Sequence, residues 1–90
     1  MSKQKLGELL FGKRRDLNLT LKDFCLQFEV PLMFISKLER NKLKITDNII
    51  PQITLLYGVT EAEIRATDWE IDTYDRFPQH LFPITLLIVN

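Results

Sequence analysis

Leu21-Lys22-Asp23-Phe24-Cys25-Leu26-Gln27-Phe28-Glu29-Val30-Pro31-Leu32-Met33-Phe34-Ile35-Ser36-Lys37-Leu38-Glu39-Arg40-Asn41 decides how the rest of the 90-residue chain is read. Leu21, Phe24, Cys25 and Phe28 recur at helical spacing behind Thr20, which pairs with Asp23 as a capping box with Asp in place of Glu. That helix should end near Glu29. Pro31 cannot continue it but suits the first turn of a second helix, which carries Phe34, Ile35 and Leu38 until Asn41 stops it. A turn of about three residues therefore separates two helices. At ~100° per residue, Phe34, Ile35, Leu38 and Glu39 share the arc of the second helix that packs, and Leu32, Met33, Ser36, Lys37 and Arg40 share the arc that is free.

Working outward, Leu6, Leu9, Leu10 and Leu17 at helical spacing predict an amphipathic helix over residues ~4 to 16, with Lys13, Arg14 and Arg15 on the intervening turn. Gly7 and Gly12 weaken it slightly. Pro51 fixes the start of a fourth helix, because its missing N–H is harmless only in the first turn, and makes Asp47 or Asn48 the expected cap. Ile50, Ile53, Leu56 and Tyr57 then face the core. Gly58 closes this helix, and Thr60 with Glu63 forms a capping box opening a short fifth helix that ends about Ala66. After Ala66 the period changes. Asp68-Trp69-Glu70-Ile71-Asp72-Thr73-Tyr74 alternates charged or polar with apolar residues, as a half-buried strand requires. Residues 75–83 form a loop. Residues 84–89, Ile-Thr-Leu-Leu-Ile-Val, predict a strand apolar on both faces. The expected division is a helical domain, 1–66, and a β extension, 67–90.

Composition narrows the classes. The chain is 46% hydrophobic and 27% charged, which excludes disorder, collagen-like repeats and disulfide scaffolds. One cysteine, Cys25, makes neither an internal disulfide nor a cysteine-based metal cluster and fits a reducing, cytoplasmic setting. No apolar run approaches the ~20 residues a membrane helix needs, and the amino end lacks the long apolar stretch of a signal peptide. The formal net charge of +0 hides an asymmetry: residues 1–44 hold 10 basic residues against 5 acidic, and residues 45–90 hold 2 against 7. A basic half beside an acidic half points to a face for a polyanion, with the acidic part turned away.

In order along the chain, Leu6-Gly7-Glu8, Arg14, Leu19-Thr20-Leu21, Val30, Phe34-Ile35-Ser36-Lys37-Leu38-Glu39 and Leu56-Tyr57-Gly58-Val59 resemble the Cro and phage-repressor family of helix-turn-helix regulators, the XRE family. The likeness covers residues 6–64. It implies a mainly α, five-helix domain whose third helix enters the DNA major groove, usually in a dimer on a two-fold operator. It places Leu32, Met33, Ser36 and Lys37 where the family reads base edges. Thr20, Leu21, Lys22, Arg40, Asn41, Lys42 and Lys44 fall where phosphates are met. Arg14 and Glu39 occupy positions of a partly buried ion pair joining helix 1 to helix 3. The chain departs from the family at Cys25, where a small alanine is usual, at Glu29, where a turn glycine is usual, and at Pro31, where a hydroxyl cap is usual. Glu29 costs on the order of 1 kcal/mol if the turn demands positive φ. Leu32 and Met33 stand where hydrogen-bonding side chains are common, and apolar side chains read little beyond the thymine methyl, which leaves specificity to Ser36, Lys37, Arg40 and DNA shape.

Other candidate chemistry is weak. His80 is the single histidine and has no second ligand beside it; Asp68, Glu70, Asp72 and Asp75 depart from a calcium loop, with Thr73 at the glycine position and Gln79 at the glutamate position. Ser36 has no nearby base, and Gly7, Gly12 and Gly58 form no phosphate loop. The expectation is therefore a non-enzymatic, cofactor-free regulator that binds double-stranded DNA as a homodimer. The alternative is a protein-interaction module, antitoxin-like or scaffolding, using Leu32 and Met33 as an apolar docking surface. Residues 67–90 are expected to make the dimer through Trp69, Ile71, Ile84, Leu86, Leu87, Ile88 and Val89, in a sheet shared between chains, since a two-faced apolar strand needs cover on both sides.

Overall fold

The computed structural model describes residues 3–71, which form five helices: α1 (Leu6–Asp16), α2 (Leu21–Phe28), α3 (Leu32–Glu39), α4 (Ile50–Tyr57) and α5 (Glu61–Arg65). The core joins Leu6 and Leu10 of α1, Phe24 and Cys25 of α2, Ile35 and Leu38 of α3, Ile50, Ile53 and Tyr57 of α4, Val59, and Ile64 of α5. The Phe24 ring touches those of Phe28 and Tyr57, with centroids 4.8 and 4.9 Å apart, spacings at which tilted aromatic pairs attract. The apolar periodicity of all five helices thus points inward.

Helix ends explain the short connections. Asn18, Glu29 and Asn41 all hold left-handed φ, at 61°, 57° and 61°. Beyond α3, the Asn41 N–H donates to Leu38 O and the Lys42 N–H to Lys37 O, the paired bonds of a Schellman ending. Val30 N–H closes α2 the same way on Cys25 O, across a turn at Glu29. Gly58, at φ 70°, ends α4. Thr60 and Glu63 form both halves of a capping box, and the Thr20 hydroxyl accepts from Asp23 N. The Glu63 carboxyl is held below the usual range, first by its bond from the Thr60 backbone N–H.

Three local expectations are corrected. Pro31 is the residue before α3 rather than inside its first turn. The residue preceding α4 is Ile49, without a side-chain cap; a turn from Thr46 O to Ile49 N leads in, and Pro51 sits at the second helical position. Residues 68–71 form no strand: the period-two stretch makes a single parallel bridge, Lys5 with Asp68. Its ladder cannot lengthen because the partner segment turns into α1 one residue later, at Leu6, and because Trp69 folds back to donate from Nε1 to Ile64 O at 2.9 Å. Packing of the helical unit consequently runs past Ala66, with Thr67 buried and Trp69 against the core. The predicted loop 75–83 and strand 84–89 lie outside the described residues, as do Ile84, Leu86, Leu87, Ile88 and Val89. No helix among the described residues is long and apolar enough to cross a membrane.

Candidate nucleic-acid interface

The helix pair α2–α3 is locked from behind. Arg14 projects from the last turn of α1 and grips the Glu39 carboxylate with a fork: Nε to Oε2 at 2.9 Å and Nη2 to Oε1 at 2.8 Å. Its remaining Nη1 donates to Leu19 O at 2.9 Å, fixing the loop that leads into α2. Tyr57 on α4 donates its hydroxyl to Glu39 Oε2 at 2.8 Å. The two charged side chains are only 9% and 6% exposed. Charge-assisted bonds from two partners compensate the desolvation of this carboxylate, and a bidentate fork fixes orientation as well as distance. The Glu39 hydrogen bond pushes the Arg14 pKa further up, and burial, then the bond to Glu39, pushes the Tyr57 phenol well above its ordinary value. Burial also raises the Cys25 thiol. Likeness to the regulators placed Arg14 and Glu39 together; Tyr57, 18 residues further on, joins them only through the fold.

With its inner arc so held, α3 turns the other arc outward. Ile35 and Leu38 are buried, Phe34 is half-buried, the Glu39 side chain is buried against Arg14, and Leu32, Met33, Lys37 and Arg40 are exposed, with Ser36 half-buried at the edge. Leu32 and Met33 are 47% and 59% exposed. Arg40 Nε bonds back to Ser36 O at 3.3 Å, laying the guanidinium along the helix. Lys22 opens α2 and Lys44 follows α3, both exposed. Asn41 also serves the fold: its Oδ1 accepts from Gly7 N at 2.9 Å, a bond that uses the acceptor of the amide and not its Nδ2 donors. Thr20 Oγ1 is occupied by Asp23 N, and Leu21 is half-buried with its core-facing side inward.

Among the described residues of the acidic half, Asp47, Glu61, Glu63 and Asp68 are in ion pairs. Arg65 bridges Glu61 at 2.7 Å and Asp47 at 2.9 Å, bonds that raise its own pKa, and its guanidinium lies over the Trp69 ring. Lys13 pairs with Glu63 and Lys5 with Asp68. Among the described residues Lys22, Lys37 and Lys44 are in no ion pair. The charge asymmetry read from the sequence thus resolves into ion pairs that take up Lys5, Lys13 and Arg65, and leaves Lys22 of α2, Lys37 of α3 and Lys44 outside them. Of the expected dimerisation residues, Trp69 packs within its own chain, and Ile71 is exposed.

Sequence reasoning missed an apolar groove beside this face. Val30, Pro31 and Phe34 form one wall and Gln52, Leu55 and Leu56 the other, enclosing about 380 Å³. Leu55, off the core-facing arc of α4, was the available signal; it is 84% exposed. No cluster of three or more metal-binding side chains occurs among the described residues. No family model, curated protein or solved structure matches the chain.

Proposed function

We propose that the chain is a cytoplasmic, sequence-specific DNA-binding regulator of the Cro and phage-repressor type, a homodimer that lays α3 in the major groove and acts by occupying its operator, without catalysis or cofactor. The observation that carries this reading is the division of α3: its inner arc is bolted to α1 and α4 through Glu39, and its outer arc presents Ser36, Lys37 and Arg40 to solvent. A helix that reads base edges must be rigidly aimed, since side chains a few ångströms long lose their targets if the helix tilts. Ser36 and Lys37 supply hydrogen bonds to bases, Leu32 and Met33 supply apolar contact, and Lys22, Arg40, Asn41, Lys42 and Lys44 meet phosphates. Thr20 and Leu21 contribute to that phosphate contact through the start of α2. The dimer supplies the two-fold axis, through Trp69, Ile71, Ile84, Leu86, Leu87, Ile88 and Val89.

The exposed Leu32 and Met33, continuous in sequence with the groove residues Val30 and Pro31, favour a second reading, a protein-interaction module docking an apolar partner. Salt separates the two. Phosphate binding releases counterions, so affinity for random double-stranded DNA falls steeply as salt rises, with a slope of about −0.9 per phosphate contacted. Apolar docking scarcely responds. A full-length protein whose DNA affinity is undetectable at low salt overturns the first reading.

A further inference from the structure

The groove between α3 and α4 is lined by five apolar residues and Gln52, and its outer lip, Leu55, is the most exposed large apolar side chain among the described residues. A concave, mostly apolar cleft of about 380 Å³ has the size and lining usual for a binding site. The chain itself contains a fitting occupant. Residues 84–89, Ile-Thr-Leu-Leu-Ile-Val, are the longest strongly apolar run in the sequence and lie outside the described residues.

We propose that this groove receives residues 84–89 of a second copy of the chain, each copy filling the other's groove about a two-fold axis. The inference rests on the homodimer in the reading above and gives that dimer a site. Reach permits it: 12 residues separate Ile71 from Ile84, and extended chain spans up to ~3.3 Å per residue, about 40 Å, against a small-domain diameter of roughly 30 Å. The segment's own pattern selects exchange over docking within one chain. In an extended conformation Leu86 and Ile88 point one way and Leu87 and Val89 the other. A groove covers one of these faces and leaves the other in water. When two copies exchange segments, the uncovered face of each lies between two domains, and both are buried. Exchange of an identical element is also a low-cost route to a two-fold dimer.

Cross-linking of full-length protein tests it. One variant carries Leu55→Cys; a second carries a single new cysteine at Leu86, Leu87 or Ile88; Cys25 is buried and stays as it is. The two are mixed and mildly oxidised. Because a disulfide needs Cα atoms within about 7 Å, only residues seated in the groove bridge to position 55. A covalent heterodimer is expected to form about a thousandfold faster than with the new cysteine at Glu70, since docking raises the local thiol concentration from micromolar to millimolar. Position 87 should differ from 86 and 88. No enrichment over the control, or bridging confined to single chains when both cysteines share one molecule, overturns the proposal. In parallel, Leu55→Glu in the full chain is expected to leave helicity intact and convert the dimer to monomer by sedimentation; a dimer that survives it contradicts the assignment. The salt slope for random DNA, read per subunit on that variant, keeps failure of the groove distinct from failure of the DNA-binding reading.

Discussion

Asn41 Oδ1 accepts the backbone N–H of Gly7 across 34 residues, at 2.9 Å, and so caps the first turn of α1 from the end of α3. The rest of that turn is satisfied as economically. Leu6 N donates to Asp68 O, and Glu8 and Leu9 donate to Lys5 O, so all four leading N–H groups of α1 have partners although Lys5 offers no side-chain cap. The close approach requires glycine: a Cβ on Gly7 would overlap the Glu39 carbonyl and lie 2.8 Å from Asn41 Oδ1.

Gly7→Ala is therefore expected to destabilise the protein by about 1–3 kcal/mol, the range for forcing an atom into a packed contact. Gly12 is the control, because a Cβ there would meet nothing within 4 Å; Gly12→Ala should stabilise by about 0.5–1 kcal/mol through helix propensity. Urea midpoints moving the same way for both would refute the close-packing account.

Much of this domain is written locally in the sequence. Thr20, Thr60 with Glu63, and Gly58 set their helix ends by side chains within a few residues, and all lie where local reasoning expects them. The start of α1 does not, because its partners, Asn41 and Asp68, are far along the chain. Asn41 has the sequence signature of a helix stop and a phosphate ligand; both its left-handed backbone and its side-chain oxygen serve the fold. The period-two pattern at residues 68–71 misleads for a similar reason, since alternation describes a strand only if a neighbour is there to pair, and Lys5 offers one residue. Family likeness reaches Arg14 and Glu39, whereas Tyr57, their third partner, has an apolar-looking position in its helix.

Removing one member of the buried pair leaves a charge without its counterpart. Glu39→Gln should cost about 3 kcal/mol, the order measured when a buried ion pair is broken from one side, because Arg14 and Glu39 are both more than nine-tenths buried. The loss is expected to loosen α3 as well. Denaturation in urea gives the first quantity, and hydrogen exchange in α3 the second; an unchanged midpoint contradicts the central role of this contact.

The raised Tyr57 phenol makes stability pH-dependent on the alkaline side. Its folded pKa lies above the unfolded value of ~10, so the folded state binds the proton more tightly, and the contribution is present below pH ~10 and lost as pH rises beyond it. Tyr57→Phe should flatten that alkaline loss, at a cost near neutral pH of about 1.5–3 kcal/mol for the hydrogen bond to a charged group. Stability measured against pH for both proteins checks it, the expected sign being a shallower fall in the variant.

Glu29 carries left-handed backbone without glycine's freedom. Relieving that strain is worth ~1–2 kcal/mol and is partly offset by the ~0.5–1 kcal/mol entropic cost of glycine, so Glu29→Gly should raise stability in urea by about 0.5 kcal/mol. A destabilised variant would mean that the turn between α2 and α3 is relaxed as it stands.

Selection of bound fragments from a random pool of double-stranded DNA by the full-length protein tests the role of α3 most directly. An enriched two-fold sequence is expected, with Lys37→Ala altering the preference at specific base positions and Lys44→Ala weakening all sequences alike while reducing the salt slope by about one. A pool that stays random at low salt, or a preference that Lys37→Ala leaves untouched, contradicts a recognition helix at Leu32–Glu39.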